Sequence, residues 1–412
     1  ARAYSGLGQL LQTQLQNSEL GSGVKNVVTS GTVYDQYGRV VKQTKPFSYA
    51  GGAFSLRSLG DKAGTETEYD DWGRVVNQSE PNGNEVTTSY EELTVTGNDP
   101  KNHSTVTEYD VWGRALSVTP EEGPALTYEY DILGRLTGVT KGSGDDETHT
   151  GISYDSGGRK TAMSDPDMGS WSYAYDALGN LTGQTDARGC TTALVYDGLN
   201  RLTNKNYSGG GACDGTPDVI YTYDTGTNGI GRRTGMTDGS GVTAWTYDER
   251  GRKLSEMKVI DSQSFSMAWS YNKADLPVSM TYPDGEAVNL TYNDQGLLEG
   301  MSNSSGFVYI RSLIYDSANR INGMELGEAN GAAVISRSYS YNLWADNIDG
   351  GLLASLTSSN AASVNLQELS YGYDRNGNIT DIVDGAAAEN SAFDYDDLDR
   401  LTEAMDDTIW TT

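Results

Sequence analysis

The sequence predicts an all-β protein, a long antiparallel sheet of repeated hairpins. Three observations predict it. One Tyr-Asp-turn-Arg unit recurs along the chain, and the segments entering each unit alternate aromatic with small residues. Glycine is abundant, 50 among 412 residues, while a helical period is largely missing. Alternation with a period of two marks strands, and glycine marks the turns between them.

The unit is clearest at residues 128–139. Tyr128 and Tyr130 fall on one face of an extended segment. Asp131 opens a turn, where a carboxylate folds onto nearby backbone N–H groups, and Gly134 supplies the positive φ needed before the chain re-enters the sheet. Arg135 and Leu136 begin the return strand.

Anchoring on the tyrosine gives seventeen units between Tyr4 and Tyr395, using seventeen of the 27 tyrosines. Asp follows in twelve, Asn in three (Asn272, Asn293 and Asn342), while Ser5 and Glu91 depart. The full Tyr-Asp-x-x-Gly-Arg occurs six times. These are Tyr34, Asp35, Gly38 and Arg39; Tyr69, Asp70, Gly73 and Arg74; and Tyr109, Asp110, Gly113 and Arg114. Then come Tyr130, Asp131, Gly134 and Arg135; Tyr154, Asp155, Gly158 and Arg159; and Tyr247, Asp248, Gly251 and Arg252. Ten of the 18 arginines stand at this turn exit.

The spacing, mostly 19 to 27 residues, holds two strands and a second turn. That turn is legible in Pro81-Asn82-Gly83-Asn84, Asp165-Pro166-Asp167, Asp238-Gly239-Ser240-Gly241 and Pro283-Asp284-Gly285. Incoming strands alternate as in Trp171, Tyr173 and Tyr175, with Ser and Ala between them. Two stretches, 9–20 and 352–369, also accommodate a helical period and are read as strand. The glycine-rich patches 142–144 and 209–211 read as enlarged hairpin loops, because the repeat resumes in phase after each. No domain boundary is evident: residues 1–412 read as one array, a piece of a longer protein with both ends inside the array and 401–412 an unfinished return strand.

Charge and composition narrow the function. There are 29 Lys plus Arg against 57 Asp plus Glu, a formal charge of −28. Nucleic acid and anionic membrane surfaces call for a basic footprint, so neither is expected as a partner. No apolar run reaches spanning length, so membrane insertion by this segment is not expected either. Cys190 and Cys213 stand about one repeat apart. They suit either a disulfide between adjacent repeats, which would place the chain in an oxidising compartment, or two separate loop thiols.

The residues carry little that looks catalytic. The two histidines, His103 and His149, sit in loop-like contexts, and no nucleophile elbow, phosphate loop or metalloprotease motif occurs. The expectation is no enzyme, no cofactor and no metal site. The repeated Asp suits calcium in type, yet its place at the start of a turn suits a cap better. The repeated Arg is read as structural, pairing with Asp or stacking on Tyr.

The in-phase Tyr-Asp-x-x-Gly-Arg-Leu units, with Pro-Asp-Gly-type turns between them, resemble the YD-repeat (Rhs) family over essentially the whole chain. That family includes bacterial polymorphic toxins, shell proteins of insecticidal toxin complexes, wall-associated bacterial proteins and teneurins. Local departures are Ser5, Glu91, Asp275 in place of a turn Gly, and the expanded turn 225–230 before Gly231 and Arg232. The resemblance implies a long hairpin ribbon spiralling into a hollow shell or barrel, secreted or displayed at the cell surface. In toxin members the shell encloses and delivers a C-terminal toxin released by a self-cleaving aspartyl protease segment, whose signature residues 395–412 do not supply. The function implied is a shell segment around a polypeptide cargo. The alternative is an extracellular adhesion or carbohydrate-binding array, its aromatic rows stacking on cell-surface glycans. A curved wall of this kind is expected to leave the tyrosine hydroxyls at its surface, satisfied by water.

Overall fold

The computed structural model describes residues 1–20, 23–49, 55–209, 211, 213, 215–327, 333–344 and 350–406. Among these residues it contains 35 strands, no α-helix and one short 3-10 turn, Gly144–Asp146. The pairings are antiparallel and nearly all join strands adjacent in sequence, as in Leu126–Tyr130 with Leu136–Lys141, and Leu136–Lys141 with Thr148–Tyr154. Both ambiguous stretches are strand: Leu10–Leu20 in the first, Leu353–Asn360 and Asn365–Tyr373 in the second.

The incoming strands bury alternate residues as their sequence directs. In Gly169–Tyr175 the aromatic positions 171, 173 and 175 are half-buried and the residues between them are exposed. The pairing slips by one residue at the anchoring tyrosine. Glu129 opposes Gly138 but Tyr130 opposes Leu136, which is a β-bulge. The same slip recurs at Tyr154, Tyr175, Tyr196 and Tyr247, so the bulge belongs to the repeat.

The chain forms two compact units. One comprises Ala1–Glu108, Pro120–Gly123 and Leu290–Thr412, the other Tyr109–Thr119 and Pro124–Asn289. The first holds most of the deeply buried side chains. Gly23–Tyr34 pairs with Leu10–Leu20, and also with Val40–Thr44 and the short strand Phe47–Tyr49. Val27, Val28, Gln12, Gln14 and Asn26 are all buried here, and Gln12 and Gln14 meet residues 55–57. Two glutamines buried this deeply need partners. Gln14 Nε2 donates to Gln12 Oε1 (2.8 Å) and to the Ser55 carbonyl (2.9 Å), while Tyr49 Oη donates to Gln14 Oε1 (2.7 Å). Gln12 Oε1 accepts the Arg57 N–H at 3.1 Å.

The second unit carries the disulfide. Cys190 leaves a turn that Asp186 closes by accepting the Cys190 N–H at 2.9 Å, and the chain after Ser208 folds back until Cys213 bonds Cys190 with their Cα atoms 5.7 Å apart. Gly210 of the second glycine-rich patch and the end of the last predicted strand, 407–412, lie outside the described residues; Leu401–Asp406 is strand.

Closing a loop across 23 positions stabilises a fold by about 3 kcal/mol through chain entropy. Cys190→Ser with Cys213→Ser is expected to lower stability by that order in denaturant titration. Hydrogen exchange should speed up first around residues 186–219, with hairpins beyond Tyr247 little changed.

Candidate functional site

The recurrent site is the turn and its grip on the next hairpin. In residues 131–135 the Asp131 N–H donates to the Arg135 carbonyl (3.0 Å) and the Gly134 N–H to the Asp131 carbonyl (2.9 Å). Gly134 has φ +79°, so the loop has the hydrogen-bond pattern of a three-residue hairpin closed by a left-handed residue. Asp131 Oδ1 accepts the backbone N–H groups of Leu133 and Arg135, each at 2.9 Å, and Oδ2 accepts Arg135 Nε at 2.6 Å. Three donors thus fill one carboxylate. Those bonds, the Arg135 backbone N–H first, hold the Asp131 carboxyl below its usual range. Asp155 and Asp197 are lowered by the same arrangement.

Arginine then reaches across to the following unit. The Arg135 guanidinium lies 5.0 Å from the centre of the Tyr154 ring, and its Nη1 donates to the Asp155 carbonyl at 2.8 Å. Tyr154 Oη returns a bond to the Leu136 carbonyl at 2.8 Å, next to the bulge. Equivalent cation–ring contacts run from Arg39 to Tyr69 (4.6 Å), Arg74 to Tyr90 (4.1 Å), Arg114 to Tyr130 (4.7 Å), Arg159 to Tyr175 (5.2 Å) and Arg252 to Tyr271 (4.7 Å). The Asp–Arg pairs within the turns are 2.6–2.7 Å at Asp35, Asp70, Asp110, Asp155 and Asp248.

The tyrosine hydroxyls correct the expectation that water satisfies them. Among the described residues, at least thirteen anchoring tyrosines donate to a backbone carbonyl at the start of the preceding unit's return strand. That carbonyl lies two residues before the first residue of its strand to pair with the following hairpin, as Leu136 lies before Gly138, and the phenol at the ring's end reaches it. Phenylalanine would pack equally well but leave the acceptor unpaired. Burial pushes the Tyr315 and Tyr341 hydroxyls up, so they remain protonated donors.

Departures from the pattern acquire substitute contacts. Asp275 takes the turn-glycine position with φ +64°, and its Oδ1 pairs with Arg252 Nη1 at 2.7 Å. At the expanded turn, Asp224 turns away from Arg232 and binds Arg201 Nη2 at 2.6 Å, while Arg232 donates to the Asn228 and Ile230 carbonyls.

A second arrangement lies within the first unit, where turns far apart in sequence meet edge to edge. Lys101 Nζ pairs with Asp374 at 2.6 Å and Asp399 at 3.1 Å. Asn376 Nδ2 donates to Asp99 Oδ2 (2.7 Å), and Asn84 Nδ2 to the Arg375 carbonyl (2.9 Å). His103 stands between Asp99 (3.1 Å) and Asp397 (3.3 Å). Burial by itself would lower the Lys101 ammonium, but its bonds to Asp374 and Asp399 outweigh that and raise it. This seam joins residues 277 to 298 positions apart. No repeat count foretells it.

Chemically, these groups are occupied. The repeated carboxylates are filled by N–H donors, which leaves them poor calcium ligands. Among the described residues no cluster of His, Cys, Asp and Glu has the geometry to hold a metal.

Three segments match the RHS Repeat model: residues 109–146, 154–192 and 175–212. No curated protein matches the sequence. Among solved structures, the chain resembles the TcdB2-TccC3 complex (TM-score 0.81, 20% identity). It also resembles that complex without its hypervariable C-terminal region (0.81, 19%) and the Photorhabdus luminescens Tc holotoxin pore (0.82, 18%). Each match covers 98% of this chain and 23% of the other, so the chain spans about a quarter of the length of those proteins. At this identity the likeness is one of fold.

Tyr154→Phe, which removes one hydroxyl and leaves the Leu136 carbonyl unpaired, is expected to cost about 1 kcal/mol in urea unfolding. Because folding depresses the repeated carboxyls, they contribute full stability above their ordinary value of 3.8 and lose it as the pH falls through the lower folded values. Circular dichroism at fixed urea should therefore stay flat from neutrality to about pH 5 and fall steeply below about pH 4.

Proposed function

For a chain built of YD (Rhs) repeats, as this one is, we propose that it is a structural wall segment of a longer secreted protein, part of a hollow shell that encloses and delivers a C-terminal toxin or other polypeptide. The observation that carries the proposal is the way the hairpins are joined. Hairpins are fixed to their successors by a tyrosine hydroxyl and, where the turn exit is arginine, by its stack on the next tyrosine, and the strip is locked edge to edge at Lys101. These contacts lie along the strip and at its edges, which suits a wall more than a centre for chemistry.

The solved complexes with this fold support the cargo reading, since TccC3 is named with the P. luminescens Tc holotoxin pore. A disulfide between Cys190 and Cys213 favours an oxidising, extracellular setting. Glycan binding receives less support. Arg or Lys already stacks on many of the rings that would meet a sugar, including Tyr173, Trp245 and Trp269.

Limited proteolysis of the full-length protein tests the proposal. The polypeptide following the repeats is expected to stay uncut in the intact protein and to be digested once residues 130–174, two units, are deleted. Digestion at the same rate in both would overturn enclosure.

A further inference from the structure

Two turns of the first unit's seam hold each other through the aspartates that cap them. Asp99 Oδ1 accepts the backbone N–H groups of Lys101 (2.9 Å) and His103 (2.8 Å), while its Oδ2 accepts Asn376 Nδ2 from across the seam. Asp374 Oδ1 likewise accepts the N–H groups of Asn376 and Asn378, each at 2.9 Å, and its Oδ2 pairs with Lys101 Nζ at 2.6 Å. Each cap is therefore pinned by the opposite turn.

Charge is unbalanced at this line. Asp99, Asp374, Asp397 and Asp399 gather around the ammonium of Lys101 and the ring of His103. Glu121 adds a carboxylate on the Ser104 N–H (2.9 Å), next to His103, and Arg400 pairs with Asp396 of its own turn (2.6 Å). His103 Nδ1 is buried 3.1 Å from Asp99 Oδ2 without an aligned hydrogen bond, and its Nε2 is 3.3 Å from Asp397 Oδ1. A neutral imidazole has one N–H and one lone pair, so whichever nitrogen holds the proton, the other turns a lone pair on a carboxylate. An imidazolium presents an N–H to both. Burial alone would raise the Asp99 and Asp374 carboxyls, but their hydrogen bonds outweigh it and lower both, so they stay ionised near neutrality.

We propose that the seam is a proton-sensitive latch, tight when His103 carries a proton on both ring nitrogens and loose when it carries only one. An imidazole is the side chain whose charge ordinarily changes between about pH 5 and 8. The closed seam sets that charge between two carboxylates, so closing takes up a proton. The grip is then strongest at the lower end of that range and is lost as the pH rises through it. Side chains make these contacts, so the seam can open while the strands stay paired and circular dichroism stays flat. The latch stands on the seam alone, so it can fail while the cargo reading survives, and the reverse.

Hydrogen exchange of the 412-residue chain tests the latch, with peptides covering 97–105 and 374–380 followed at about pH 5.5 and about pH 8 and each rate divided by its intrinsic value. The capped amides are expected to be about fivefold better protected at the lower pH. His103→Gln should leave them equally protected at both, whereas His149→Gln, at the other histidine, should keep the difference. Asp397→Asn keeps His103 but removes one facing carboxylate, and should shrink the difference. Equal protection of the parent at the two pH values, better protection at the higher one, or a difference that survives His103→Gln overturns the proposal. Where His103→Gln leaves both turns unprotected throughout, Asp397→Asn decides, and a difference as large as the parent's overturns the latch.

Discussion

The sheet depends on a hydrogen bond between a phenol and a backbone carbonyl, which Tyr154 makes to Leu136 and its equivalents repeat along the chain. A two-stranded hairpin is marginal in water, and few apolar side chains here are fully buried. The acceptor carbonyl lies just beyond the end of the ladder to the next hairpin, as Leu136 lies before Gly138, and so needs a donor. Tyrosine meets that need while its ring receives the arginine of the preceding turn, an interaction worth about 0.5–1 kcal/mol at exposed sites. The aspartate completes the set by holding the arginine in place. Tyr, Asp and Arg are thus parts of one device that spans two hairpins, which is why they recur together.

Much of this was legible from sequence, for identifiable reasons. Tyrosines alternating with small residues set the strands, and Asp131 and Gly134 set the turn, because both are local properties. The acceptor of the hydroxyl was not legible, since it is a main-chain atom whose residue is Leu136 in one unit and Lys253 in another. Water is the natural partner of a phenol at a surface, and only the stacking of one hairpin on the next supplies another. Gln12 and Gln14 were equally hidden. Their residue type usually marks a surface, and their burial follows from residues 55–57 crossing over them. The spacing of Cys190 and Cys213 left bridge and free thiols open, and the fold-back of the chain after Ser208 decided between them.

The seam at Lys101 belongs to another class of information. Its residues are ordinary members of turns, and they meet only because strands accumulate twist and curvature over many hairpins. Lys101 brings a cation between Asp374 and Asp399, and His103 stands between Asp99 and Asp397, at an edge where carboxylates would otherwise face each other. In a chain this acidic, Lys101 sits where like charges converge.

The carbonyl acceptor has an evolutionary consequence. Every residue supplies a carbonyl, so a unit carrying the tyrosine can follow any unit with such a return strand, whatever side chain stands there. Hairpins can be duplicated, lost or exchanged by recombination without breaking the junctions on either side. Sequences can then drift until they share 18–20% identity with other proteins while the fold still superposes with a TM-score near 0.8. The array behaves as an alphabet of interchangeable pieces, in which inheritance preserves the joint and leaves the letters free to change.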